Sequence, residues 1–144
     1  EANKYAELNI GLNKLKGKVI LLNGDVKRIA RKIVSLPYPP TRKKAFNARK
    51  NFGFTLNMPR YFDVIVMPRP QLKDTFLPQA FSLSKRNTRV FYYDFCKEDE
   101  IQDVINKIKS QAKKSRKKIK ILKIKKAGEI APYKYRIRVD FRVL

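Results

Sequence analysis

Three short apolar runs, each separated from the next by a helical pattern, constrain this chain most. They are "KVILLNGD" at 18–25, "YFDVIVM" at 61–67 and "RVFYYDF" at 89–95. Continuous runs of this length, bounded by turn residues, read as strands buried on both faces. Helical spacing surrounds them. Ala2, Tyr5, Asn9, Leu12 and Leu15 fit one helix, and Val26, Ile29, Ala30 and Ile33 another. Residues 72–85 fit a third, in which Pro78 either kinks the helix or marks its true start. Residues 97–118 form a fourth, with Ile101, Val104, Ile105 and Ile108 as its stripe, an acidic first turn and a basic end that suit the helix dipole. Strands that alternate with helices predict an α/β doubly wound sheet.

The C-terminus reads differently. From Tyr133 to Val143 apolar residues alternate with Lys134, Arg136, Arg138, Asp140 and Arg142. This is the period of an antiparallel, edge-type strand with one wet face. The loop at 127–132 is short enough to pair it with the strand-like "KIKILKIKK" at 118–126. The expected order is α-β-α-β-α-β-α-β-β, closed by a hairpin, without an internal repeat.

Charge narrows the partner. Against 12 acidic residues stand 35 Lys and Arg, a net charge of +23 over 144 residues. Such an excess predicts a polyanionic partner, foremost a nucleic acid, with an anionic membrane surface as the weaker alternative. No apolar run reaches the roughly 18 residues of a transmembrane helix. Histidine is absent and Cys96 is the single cysteine. Triad hydrolases and zinc enzymes are therefore poor readings, no metal site is expected, and a reducing, cytoplasmic setting fits. The 43% hydrophobic content suits one domain with a real core.

Two stretches invite a functional reading. Residues 35–60 form a long Pro-rich and basic loop, with Arg42, Lys43, Lys44, Arg49 and Lys50 among Phe46, Phe52 and Phe54. Cations hold phosphates and exposed aromatics stack on unpaired bases, although these phenylalanines equally fit anchors to the core. The second is "DVIVMPRP" at 63–70. A buried strand ends there in Pro68 and Pro70 around Arg69. Strand ends of this kind are where α/β proteins keep ligands.

Three pieces together resemble the class I S-adenosylmethionine-dependent methyltransferases, and most of all the archaeal and eukaryotic tRNA (guanine-N1)-methyltransferases with their wyosine-pathway relatives. They are "EANKYAELNIGLNKLKGKVILLNGDV", "FDVIVMPRP" and "KIKKAGEIAPYKYRIRVDFRVL". The resemblance spans nearly the whole chain except the loop at 35–60, which it makes an insertion. It implies residues 1–144 as the C-terminal part of a catalytic domain. The fold would be a partial class I, Rossmann-like sheet with a C-terminal antiparallel hairpin and its first two strands missing. In that fold's order, the absent strands lie between 18–22 and 61–67.

The resemblance also implies roles. S-adenosylmethionine is the implied cofactor, held by Asn23, Asp25, Val26 and Met67, with Asp25 accepting from the adenine amino group. Read by itself, Asp25 equally caps the helix that follows. Pro68 and Arg69 take the catalytic-loop positions, with Arg69 facing either charge on the guanine oxygen or a phosphate. Val66 stands where the family has Asn and cannot make that side chain's hydrogen bonds. Transfer RNA is the implied partner, with Arg42, Lys43, Lys44, Arg49, Lys117, Lys118, Lys134 and Arg136 as its contacts. Glu129 reads as a surface charge paired with Lys125 or Lys126 rather than as a base. The family's general base lies upstream, so none is assigned.

Five glycines, at 11, 17, 24, 53 and 128, are too scattered for the Gly-rich cofactor turn. A truncated chain, one half of a split protein whose N-terminal half is a separate chain, or a divergent fold would each account for this. A sheet lacking central strands implies poor independent stability. Two rival functions remain in view. One is aminocarboxypropyl transfer in wyosine synthesis, with the same cofactor. The other is non-enzymatic RNA binding by charge alone.

Overall fold

The computed structural model describes residues 2–35, 59–68 and 75–144. Its elements are α1 (Ala2–Leu12), α2 (Val26–Ser35), β1 (Phe62–Met67), α3 (Leu77–Ser82), β2 (Ser84–Lys97), α4 (Ile101–Lys114), β3 (Ile119–Ala131) and β4 (Lys134–Val143). The strands form one sheet in the order β1-β2-β4-β3. β1 runs parallel to β2, whereas β4 is antiparallel to both β2 and β3.

The alternation read at the C-terminus dictates the core. Ile137, Val139, Phe141 and Val143 of β4 face the same side as Val90, Tyr92 and Cys96 of β2 and are all buried. On this side α3 contributes Leu77 and Phe81, and α4 contributes Val104, Ile108 and Ala112. Phe81 and Phe141 meet with ring centroids 5.9 Å apart. Pro78 marks the true start of α3, within its first turn, where its missing N–H costs nothing. α4 carries Asp103 in its first turn and Lys113 and Lys114 in its last, as expected from the dipole.

Three expectations need correction. The run at 18–22 forms no strand of the sheet. Lys16 and Val19 make only an isolated bridge, and Val19 and Ile20 remain 42% and 50% exposed. An apolar run becomes a strand only where another strand supplies the ladder, and no described strand lies beside it. The last strand is internal rather than an edge, because β4 pairs on both sides and β3 takes the edge. Finally, β1 is buried on one face only. Ile65 and Met67 join the core, while Val64 and Val66 are 52% and 55% exposed.

The start of β1 is pinned by one side chain. Thr88 Oγ1 donates to the Phe62 carbonyl at 2.6 Å and accepts from the Lys85 N–H at 2.9 Å. It sits where the β1–β2 register shifts between Phe62 and Val64, and it is fully buried. The parallel pair then runs regularly to Met67 and Tyr92, so both strands deliver their carboxyl ends to the same edge of the sheet.

Candidate functional site

At that edge lies a cleft of about 420 Å³. Two segments far apart in sequence meet there: the turn Gly24-Asp25-Val26 and the strand end Val66-Met67-Pro68. The third wall comes from Thr75, Phe76 and the α3 residues Gln79 and Ala80. Location and size are those of an α/β ligand site, at the carboxyl ends of parallel strands.

Local chemistry builds each wall. Gly24 has φ +136°, a conformation side chains rarely adopt, and this turn sets Asp25 at the head of α2. Asp25 Oδ1 accepts the Arg28 N–H at 3.0 Å, and the Asp25 carbonyl accepts the Ile29 N–H at 2.9 Å. Asp25 is thus the N-cap of α2 through one carboxylate oxygen, and the residue also lines the cleft. Opposite, Phe76 takes a left-handed backbone, φ 49°, immediately before α3. A bulky residue in that region stores on the order of 1–3 kcal/mol of strain.

The floor is polar, with Tyr92 and Asp94 buried and Lys107 reaching in from the exposed side of α4. Tyr92 donates its hydroxyl to Asp94 Oδ2 at 2.8 Å, and Lys107 Nζ from α4 donates to the same oxygen at 2.9 Å. Asp94 Oδ1 accepts the Phe95 N–H at 2.9 Å. Tyr92 and Lys107 line the cleft and Asp94 lies behind them. Burial first, then the charge of Asp94, pushes the Tyr92 phenol far above its usual range, so it stays a donor. Burial likewise pushes the Cys96 thiol up, with Asp94 adding to it, so Cys96 is a core residue and not a nucleophile.

The structure therefore brings Asp25, Val26, Met67 and Pro68 together. Asn23 is exposed and stays off the cleft wall. Arg69 and the loop cations Arg42, Lys43, Lys44 and Arg49 lie outside the described residues. Lys134 and Arg136 sit opposite Lys97 and Phe95, at the end of β2 nearest the cleft. Lys117 and Lys118 are at the other end, where Lys117 Nζ donates to the Ser84 carbonyl at 3.2 Å. The basic run 113–126 is thus not one surface. Glu129 does not pair with Lys126, whose ammonium meets Glu98 at 2.7 Å and lies over the Tyr135 ring.

The sequence reading missed Phe76, Gln79, Tyr92 and Lys107. A buried-on-both-faces strand gives no sign of which residue faces a cleft, so Tyr92 was indistinguishable from Tyr93. Lys107 carried a weak signal, as a cation one residue before Ile108 on the apolar stripe of α4.

No family model matches the chain. Over 84 residues it is 34% identical to the tRNA (guanine(37)-N(1))/4-demethylwyosine(37)-methyltransferase Taw22 of Nanoarchaeum equitans, covering 58% of this chain and 27% of that protein. Among solved structures it resembles Trm5b of Pyrococcus abyssi, with 30% identity and TM-score 0.54, over 58% of this chain and 26% of the other. It also resembles TYW2 of Pyrococcus horikoshii, solved with MeSAdo, with TM-score 0.55 over 74% of this chain and 45% of the other. At 19% identity that likeness speaks for the fold alone. The chain thus spans about a quarter of the length of this relative. Over the matched residues the chain is similar to these tRNA methyltransferases, and its four-stranded sheet is similar in fold to part of the Trm5b and TYW2 structures.

Proposed function

We propose that the chain is the C-terminal part of the catalytic domain of a cytoplasmic, S-adenosylmethionine-dependent tRNA methyltransferase acting on guanine N1 at position 37. One observation carries this reading: Gly24-Asp25-Val26 and Met67-Pro68, the segments that the resemblance assigns to cofactor and chemistry, share one cleft. The residues present fit the cofactor. Val26, Ile65 and Met67 offer apolar walls for a purine, and the Asp25 carboxylate offers an acceptor for its amino group. When bound, S-adenosylmethionine supplies the electrophilic methyl group.

The chain's own residues position and stabilise. Pro68 ends β1 without offering an N–H and fixes the strand end rigidly beside the cleft. Arg69, next in the chain, would neutralise charge that builds on the guanine oxygen, or hold a phosphate. Methyl transfer also requires the methyl group to be aligned with the ring nitrogen. This reading assigns the Gly-rich cofactor turn to an N-terminal half, either a separate chain or preceding sequence, that completes the site.

The test is titration with S-adenosylhomocysteine by calorimetry, then the mass of tRNA incubated with S-adenosylmethionine and an N-terminal half of the relative's catalytic domain. A gain of one methyl group on guanosine 37 supports the assignment. A gain of an aminocarboxypropyl group moves it to the wyosine branch. Absence of binding by the complemented protein sinks it.

A further inference from the structure

Phe76 breaks two local rules at once. It stands at the cap position of α3, where the backbone is ordinarily extended and the side chain is Ser, Thr, Asp or Asn, accepting a helix N–H. Phe76 instead has φ 49° and ψ 9°, in the left-handed region, and its side chain caps nothing. That region suits glycine and, to a lesser degree, asparagine, and is costly for a bulky side chain. Lys14, Asn87, Arg116 and Tyr133 share a positive φ, but all four are exposed turn residues, whereas Phe76 is half-buried.

The surroundings hold this geometry in place. The Phe76 carbonyl accepts the Ala80 N–H at 3.0 Å, which starts α3. Leu77, next in the chain, is fully buried and belongs to the core cluster, to which Phe76 does not belong. The left-handed turn thus separates two adjacent apolar side chains, Leu77 going to the core and Phe76 to the cleft wall. Among the described residues no other ring and no guanidinium lies on the Phe76 ring. Strain of this kind, held by its surroundings at the wall of a ligand cleft, points to a role for the group it positions. The same cleft offers the apolar side chains of Val26, Ile65 and Met67. A flat ring system suits such walls, and an aromatic face stacks on a purine whatever its edge groups.

We propose that Phe76 is a binding residue of the cleft, the platform on which the purine of a nucleoside ligand stacks, and that its left-handed backbone is the strain that aims it there. This deepens the cofactor reading and rests on it for the identity of the nucleoside.

Two measurements test the strain and the stacking separately. Thermal unfolding of the full chain compares Phe76→Gly with Phe76→Ala. Both remove the ring, but only Phe76→Gly relieves the backbone. Glycine ordinarily lowers stability relative to alanine, through the greater freedom of the unfolded chain. Here the order is expected to reverse, with Phe76→Gly melting about 3 °C above Phe76→Ala. If Phe76→Ala melts at or above Phe76→Gly, the proposal is overturned. The second measurement is calorimetric titration with S-adenosylhomocysteine of the chain complemented by an N-terminal half of the relative's catalytic domain. Phe76→Leu keeps apolar volume and loses the flat face, so it is expected to weaken binding about tenfold. Its melting temperature is expected to stay within about 2 °C of that of the unsubstituted protein, which separates a lost platform from a damaged fold. Phe76→Tyr keeps the face and is expected to bind within about twofold of the unsubstituted protein. Unchanged affinity in Phe76→Leu, or an equal loss in Phe76→Tyr, overturns this proposal and leaves the cofactor reading standing. Absence of binding by the unsubstituted, complemented protein overturns both.

Discussion

Removing the Asp94 carboxylate tests the floor of the cleft most sharply. Three donors converge on it: the Tyr92 hydroxyl at 2.8 Å, Lys107 Nζ at 2.9 Å and the Phe95 N–H at 2.9 Å. Asp94→Ala strands a phenol that is 4% exposed. A buried donor left without a partner costs about 1–3 kcal/mol. The Lys107 contact adds less than about 1 kcal/mol, because its side chain is nearly half exposed. We therefore expect Asp94→Ala to lower unfolding stability by about 1–4 kcal/mol. Tyr92→Phe deletes the donor and leaves Asp94 its other two partners, for a loss of about 1 kcal/mol. In the double variant the stranded hydroxyl is gone, so the combined loss falls short of the sum by about 1 kcal/mol. Urea unfolding of the four proteins measures this cycle. Losses that add to within about 0.5 kcal/mol would refute a shared network.

The same network sets an alkaline limit. The Tyr92 phenol is raised in the folded state, so its contribution is fully present below the unfolded value of about 10 and is lost as pH climbs above it. A stability profile from pH 8 to 11 should fall at its upper end, and the fall should shrink in Tyr92→Phe. Asp25→Ala should cost about 1 kcal/mol of stability through the lost cap. Asp25→Ser should keep the cap, yet lose S-adenosylhomocysteine binding by calorimetry if the second oxygen meets the adenine. Thr88→Val removes both bonds that pin β1 and should cost about 1–3 kcal/mol, with faster amide exchange at the start of β1. Phe141→Ala empties the centre of the core against Phe81 and should cost about 3–5 kcal/mol by urea unfolding.

Periodicity alone determined much of the fold. The alternation from Tyr133 to Val143 specified which side of β4 is buried, because a strand's side chains change face at every residue. The stripe through Val104 and Ile108 specified the buried side of α4, whereas Pro78 allowed either a kink or a start and the structure makes it the start of α3. Chemistry local to a turn was equally legible, as Asp25 capping α2 shows. What a residue's neighbours across the sheet would be was not written in any local pattern. The run at 18–22 has the composition of a strand, but without a described strand beside it its backbone pairs only at one bridge. Val64 and Val66 look as buried as Ile65 in the sequence and differ from it because no described helix covers their side. The same long-range pairing decided that Tyr92 faces the cleft, that Lys107 reaches Asp94, and that Phe91 and Phe95 share a face with Arg136 and Arg142. A chain dictates its own face alternation through covalent geometry. Which faces meet is settled only when separate elements compete to bury the same apolar surface.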